Sequence, residues 1–156
     1  MNRESMREGF VEMLRRLEPD YSFTLNLNQD FSYLNRRARC KKGEEYFKHF
    51  CQYLDRKVIG SRYMKHHEQR AIVVATPEHI DTNYHLHGYI KMRCKRQIPF
   101  LELETAVLTS WREVIPSGTA LLEVPSEERG WSRYISKESG RRDWFDGVLI
   151  SLQYCP

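Results

Sequence analysis

The segment AIVVATPEHIDTNYHLHGYIKM, residues 71–92, begins with a continuous apolar run, Ala71–Ala75. A run this short, with no polar alternation, reads as a central strand covered on both sides. Residues 77–83 carry turn chemistry, and a second strand is expected from Tyr84 to Met92, so the two strands form a hairpin. Side chains two apart in a strand share a face. His85 and His87 therefore stand side by side, with Tyr89 and Lys91 continuing their row, while Leu86, Ile90 and Met92 point into the core. Two imidazoles at that separation can share one divalent ion. Glu78 can supply a third ligand where the hairpin folds back, and His79 and Asp81 compete for that position. Two nitrogens and one carboxylate leave coordination positions open, which suits a Lewis-acid centre rather than a closed structural one.

Working outward, Met6, Phe10, Met13, Leu14 and Leu17 recur at helical spacing and predict an opening helix over residues 3–17, ended by Pro19 and Asp20. Tyr21–Asn28 alternates: Tyr21, Phe23, Leu25 and Leu27 face the core, and Thr24, Asn26 and Asn28 face water. A basic, polar stretch follows. After it comes a helix with the stripe Phe47, Phe50, Cys51, Leu54 and Val58, stopped at Gly60. Residues 99–111 predict a further helix through Phe100, Leu103, Val107, Leu108 and Trp111, with proline in its first turn. A strand is expected over Ala120–Val124, and a helix from an N-cap at Ser126 to Ser139, ended by Gly140. The tail GVLISLQY adds an edge strand. The predicted class is α+β: one domain with a mainly antiparallel central sheet and helices packed mostly on one face.

With 156 residues, 40% apolar and 29% charged, the chain has the composition of a globular domain rather than a disordered or membrane-spanning one. The first residues carry charge and lack the apolar core of a secretory signal, so a cytoplasmic protein is expected, with no membrane partner. The four cysteines match no zinc spacing and are expected to be reduced. A net charge of +4 is modest, but it is clustered. Arg36, Arg37, Arg39, Lys41 and Lys42 form one group, and Lys91, Arg93, Lys95 and Arg96 another. Such groups suit phosphates.

Tyr134-Ile135-Ser136-Lys137 lies on the last predicted helix, which Trp131 and Ile135 pack against the sheet. Tyr134 sits at the margin of that stripe, with Lys137 one turn on. A phenol of pKa about 10 is a poor nucleophile at neutral pH. It becomes competent where a cation favours the phenolate and a metal polarises the phosphate it attacks.

The order of these motifs resembles the HUH endonucleases, which include rolling-circle replication initiators, relaxases and some transposases. Phe23-Thr24-Leu25-Asn26-Leu27-Asn28 is similar to the family's first, polar-alternating strand motif. His85-Leu86-His87-Gly88 is similar to its histidine–hydrophobic–histidine motif, and Tyr134 with Lys137 to its Tyr-x-x-Lys helix. The resemblance runs from about Tyr21 to Ser139, leaving the opening helix and the tail as additions. It implies a ferredoxin-like fold and a divalent ion, Mg²⁺ or Mn²⁺, on Glu78, His85 and His87. It also implies single- or hairpin-stranded DNA as substrate, with Tyr134 becoming 5′-phosphotyrosyl and Lys137 positioning phosphate or metal. Gly130 and Trp131 replace the second tyrosine of some relatives, so a single-tyrosine mechanism is implied. No G-x-x-x-x-G-K-[ST] occurs, so a separate helicase is expected, with the protein a monomer or dimer. DNA would lie on the wet sheet face, its phosphates at Arg36, Arg37, Arg39, Arg93, Lys95 and Arg96 and its bases stacked on Tyr89 and Tyr84, at about 1–3 kcal/mol per base. Three rivals predict different outcomes. A ferredoxin-like binding module binds without cleaving, although the RNP aromatic motif is absent. A metal-dependent hydrolase turns over without an adduct, and an inactive relative keeps only the fold.

Overall fold

The structure, a computed structural model, describes residues 3–125 and 147–154. The elements follow the order α1 (Arg3–Leu17), β1 (Tyr21–Asn26), α2 (Arg36–Ile59), β2 (Ile72–Glu78), β3 (His85–Lys91), α3 (Phe100–Val114), β4 (Thr119–Glu123) and β5 (Leu149–Ile150). The strands form one sheet in the order β4-β1-β3-β2-β5, and every recorded pairing is antiparallel. This is a mixed α+β architecture of ferredoxin-like class. β3, bearing both histidines, lies in the middle.

Alternation divides each strand between two layers. Phe23 and Leu25 of β1, Val73 and Ala75 of β2, and Leu86 and Ile90 of β3 face α2 and α3. There they pack with Phe47, Phe50, Leu54, Leu103, Val107 and Trp111. The indole of Trp111 crosses Phe50 edge-on at 5.9 Å, and its N–H donates to the Asn26 carbonyl at 2.8 Å. That bond satisfies the one polar atom of a fully buried side chain. Gly88 is a close approach in this layer: a β-carbon there would lie 2.1 Å from the Val74 carbonyl oxygen and 2.5 Å from the Phe23 ring.

Among the described residues, α1 covers part of the opposite face. Phe10 and Leu14 of α1 bury Val74 and Tyr89. Tyr89 is only 4% exposed, and burial pushes its phenol up to about 12. The expectation that Tyr89 stacks on bases is thereby corrected, because α1 occupies the wet face at that end of β3. Tyr84, also 4% exposed, is corrected in the same way: its ring packs against Phe31 and Gly43.

Element boundaries differ from expectation, three of them for a clear physical reason. β2 continues through Pro77 to Glu78 instead of stopping at Ala75. Proline is tolerated at an exposed sheet edge, and Pro77 lies two residues past the last β2 residue paired with β5. α2 starts at Arg36, because the Asn35 side chain caps the Ala38 N–H at 2.9 Å, so the basic run forms the first turns of a helix. The tail gives only two strand residues before a 3-10 turn, Ser151–Tyr154. There the Ser151 hydroxyl accepts from the Val73 N–H at 2.9 Å and donates to the Ala71 carbonyl at 3.1 Å, replacing main-chain pairing. The expected helix over Ser126–Ser139, including Tyr134 and Lys137, lies outside the described residues.

Candidate metal centre

Register assembles the site. Glu78 of β2 stands directly opposite His85 of β3, and Thr24 of β1 opposite His87. All four side chains point to the face away from α2 and α3. Nε2 of His85 lies 3.3 Å from Glu78 Oε2, and Nε2 of His87 lies 3.5 Å from the same oxygen. One ligand atom from each of the three residues lies within 4.8 Å of the others, so the group can hold a metal ion.

The donor set fits a cation for a chemical reason. Nδ1 of His85 lies 2.7 Å from the Asn83 carbonyl oxygen, which only accepts, so Nδ1 carries the proton. In the neutral ring Nε2 is then a bare lone pair, aimed at a carboxylate oxygen that also only accepts. Two acceptors at 3.3 Å are reconciled by a cation between them or by protonation of the imidazole. On His87, Nδ1 meets the Thr24 hydroxyl at 2.8 Å, and Nε2 faces the Glu78 carboxylate. Outer partners of this kind orient imidazole ligands in metal sites.

Burial pushes the Glu78 carboxyl up. In the metal-free protein with its imidazoles protonated, the hydrogen bond from His85 and the positive charges of His87, His85 and His79 outweigh that push and hold it below its ordinary 4.5. The side chains of Glu78 and His85 are 7% and 11% exposed, but that of His87 is 35% exposed, so the centre is reached from the His87 side.

His79, in the left-handed region at φ 48°, brings its ring 5.2 Å from that of His85 without joining the three-atom group. Asp81 is engaged elsewhere, by Arg36 at 2.7 Å and Arg39 at 3.0 Å. The basic residues separate by position. Arg36, Arg37 and Arg39 lie at the start of α2, beside the turn that precedes His85. Arg93, Lys95 and Arg96 lie past the opposite end of β3, where Arg96 pairs with Glu102 at 2.7 Å. Arg37 and Lys41 line a cavity of about 460 Å³ floored by Pro77, Tyr84 and Leu149. Thr24 and the Asn83 carbonyl were not singled out as site residues; the wet row of β1 signalled the first, and nothing in the sequence signalled the second.

No protein-family model, no curated protein and no solved structure matches the chain. Among the described residues, no helix is long and apolar enough to cross a membrane.

Proposed function

We propose that the chain is a metal-dependent enzyme that nicks single-stranded DNA and transfers the strand through a 5′-phosphotyrosine, initiating rolling-circle replication of a plasmid or phage in the cytoplasm. The observation that carries this reading is the convergence of two imidazole Nε2 atoms and one carboxylate oxygen on an accessible sheet face. Mg²⁺ or Mn²⁺ bound there supplies a Lewis acid for a phosphodiester. His85 and His87 keep their Nε2 lone pairs directed by bonding through Nδ1, and Glu78 brings the negative charge a divalent cation needs. Tyr134 attacks phosphorus as the phenolate. The bond from phosphorus to the 3′-oxygen breaks, that oxygen takes a proton, and the 5′-phosphoryl group stays on Tyr134. Lys137 favours the phenolate and positions the phosphate. Attack by a new 3′-hydroxyl reverses the step and rejoins the strand, while a separate helicase or an extruded hairpin provides single-stranded DNA.

A labelled oligonucleotide incubated with Mn²⁺ and run on a denaturing gel tests the proposal. The expected result is a covalent adduct that is absent with Tyr134→Phe, with His87→Ala and in EDTA. Cleavage without an adduct would make the protein a hydrolase. Binding without cleavage would make it a nucleic-acid-binding module. An adduct that persists in Tyr134→Phe would remove Tyr134 as the nucleophile.

A further inference from the structure

We infer that Arg39, with Arg36, is a positioning residue for the metal centre rather than a phosphate contact, acting by clasping the turn that presents a carbonyl to His85. The inference rests on the reading of Glu78, His85 and His87 as metal ligands. Arg39 is spent internally: its side chain is only 13% exposed. Its Nε donates to the Phe31 carbonyl at 2.9 Å, Nη1 to Asp81 Oδ1 at 3.0 Å and to the Ile80 carbonyl at 3.5 Å, and Nη2 to the Ser32 carbonyl at 3.5 Å. A guanidinium has five N–H donors in a fixed fork. Committed in this way, Arg39 has little left to offer a backbone phosphate. Arg36 completes the clasp through Nη1 to Asp81 Oδ2 at 2.7 Å, so one carboxylate is held by two cations.

The clasped segment needs holding from outside. It enters through His79, whose left-handed backbone is unfavourable for a residue with a β-carbon. The His79 carbonyl then accepts from the N–H groups of Thr82 and Asn83, both at 3.0 Å. Ile80 is buried in the core, while Asp81, Thr82 and Asn83 are exposed. Arg36 and Arg39 therefore supply the side-chain bonds that fix the exposed part of the turn. The product of the turn is the Asn83 carbonyl, 2.7 Å from Nδ1 of His85. If the turn loosens, the ring loses the bond that places its proton on Nδ1 and aims Nε2 at Glu78.

Mn²⁺ titration of the full chain, followed by the EPR signal of free Mn²⁺, tests this in the wild type, Arg39→Lys and Asp81→Asn. Arg39→Lys keeps the charge and loses the fork, and Asp81→Asn releases both arginines. The expected result is an Mn²⁺ affinity about 10-fold weaker in each, typical for loss of a group that orients a ligand. The His85 Nδ1–H resonance should also broaden in the ¹⁵N spectrum of the metal-free protein. A purely structural role would lower the melting temperature and leave both readouts unchanged. Arg36→Ala, which keeps all four Arg39 bonds, provides a variant that folds if the others do not, with a smaller loss of affinity. Folded variants that bind Mn²⁺ as the wild type does overturn the clasp. The phosphate role replaces it if Arg36→Ala instead flattens the salt dependence of oligonucleotide binding by about one ion. A wild type that binds no Mn²⁺ overturns the metal centre itself, and the clasp with it.

Discussion

Thr24 contributes one oxygen, and through it β1 borders the group from β2 and β3 that can hold a metal ion. Its hydroxyl, 2.8 Å from Nδ1 of His87, fixes the ring that is most open to solvent. Thr24→Val keeps the shape and removes the bond, and calorimetry should show divalent-ion affinity about 10-fold weaker. Glu78 brings pH dependence. Its folded carboxyl lies below 4.5, so ionisation favours the metal-free native state. That contribution is complete above 4.5 and is lost as the pH falls through the lowered folded value. Urea denaturation of metal-free wild type and Glu78→Gln should therefore show a wild-type advantage at pH 6 that disappears on acidification; an advantage that grows on acidification would reverse the sign. At this scale the pairing of the two imidazoles was legible, because strand alternation alone places His85 beside His87. Tyr89 was misread by the same rule, since alternation gives the face of a side chain and not what covers it. The Asn83 carbonyl was out of reach, because a main-chain oxygen has no letter of its own.

Between elements, a buried ion pair brackets the central hairpin. Asp55 of α2 accepts from Arg70 Nε at 2.8 Å and from the Ala71 N–H at 3.0 Å, with both charged side chains 3% exposed. Arg70 also lies over the Tyr63 ring, 5.5 Å from its centroid. This ties the start of β2 to α2, and the β2–β3 ladder then carries Glu78 to His85. Asp55→Ala should cost about 3–5 kcal/mol in equilibrium unfolding, because it leaves a guanidinium buried without its carboxylate. A loss below about 1 kcal/mol, as for an exposed pair, would mean the bracket is not structural. Helices and strands with strong apolar periodicity were legible in kind and order. Their ends were less so, since Pro77 reads as a strand breaker until its edge position is known. The Asn35 cap, too, reads as one more polar residue until its bond to Ala38 is seen.

At the scale of the molecule, the β4-β1-β3-β2-β5 order puts the histidine strand between the two strands that serve it. Among the described residues, α2 and α3 pack on one side and α1 on the other. The chain encodes the pairing of its layers through alternation, but the covering of the second face depends on how a short amphipathic helix docks, and nothing in its spacing says where. The central placement of β3 also governs when the centre comes into being. Thr24 and His87 are separated by 63 positions along the chain and meet only through the finished β1–β3 ladder. Contacts that distant in sequence form late, after the entropy of closing long loops has been met. A nascent polypeptide that carries both imidazoles but lacks its sheet has not brought them to Glu78. The capacity to hold an ion therefore arrives together with the native state and disappears with it.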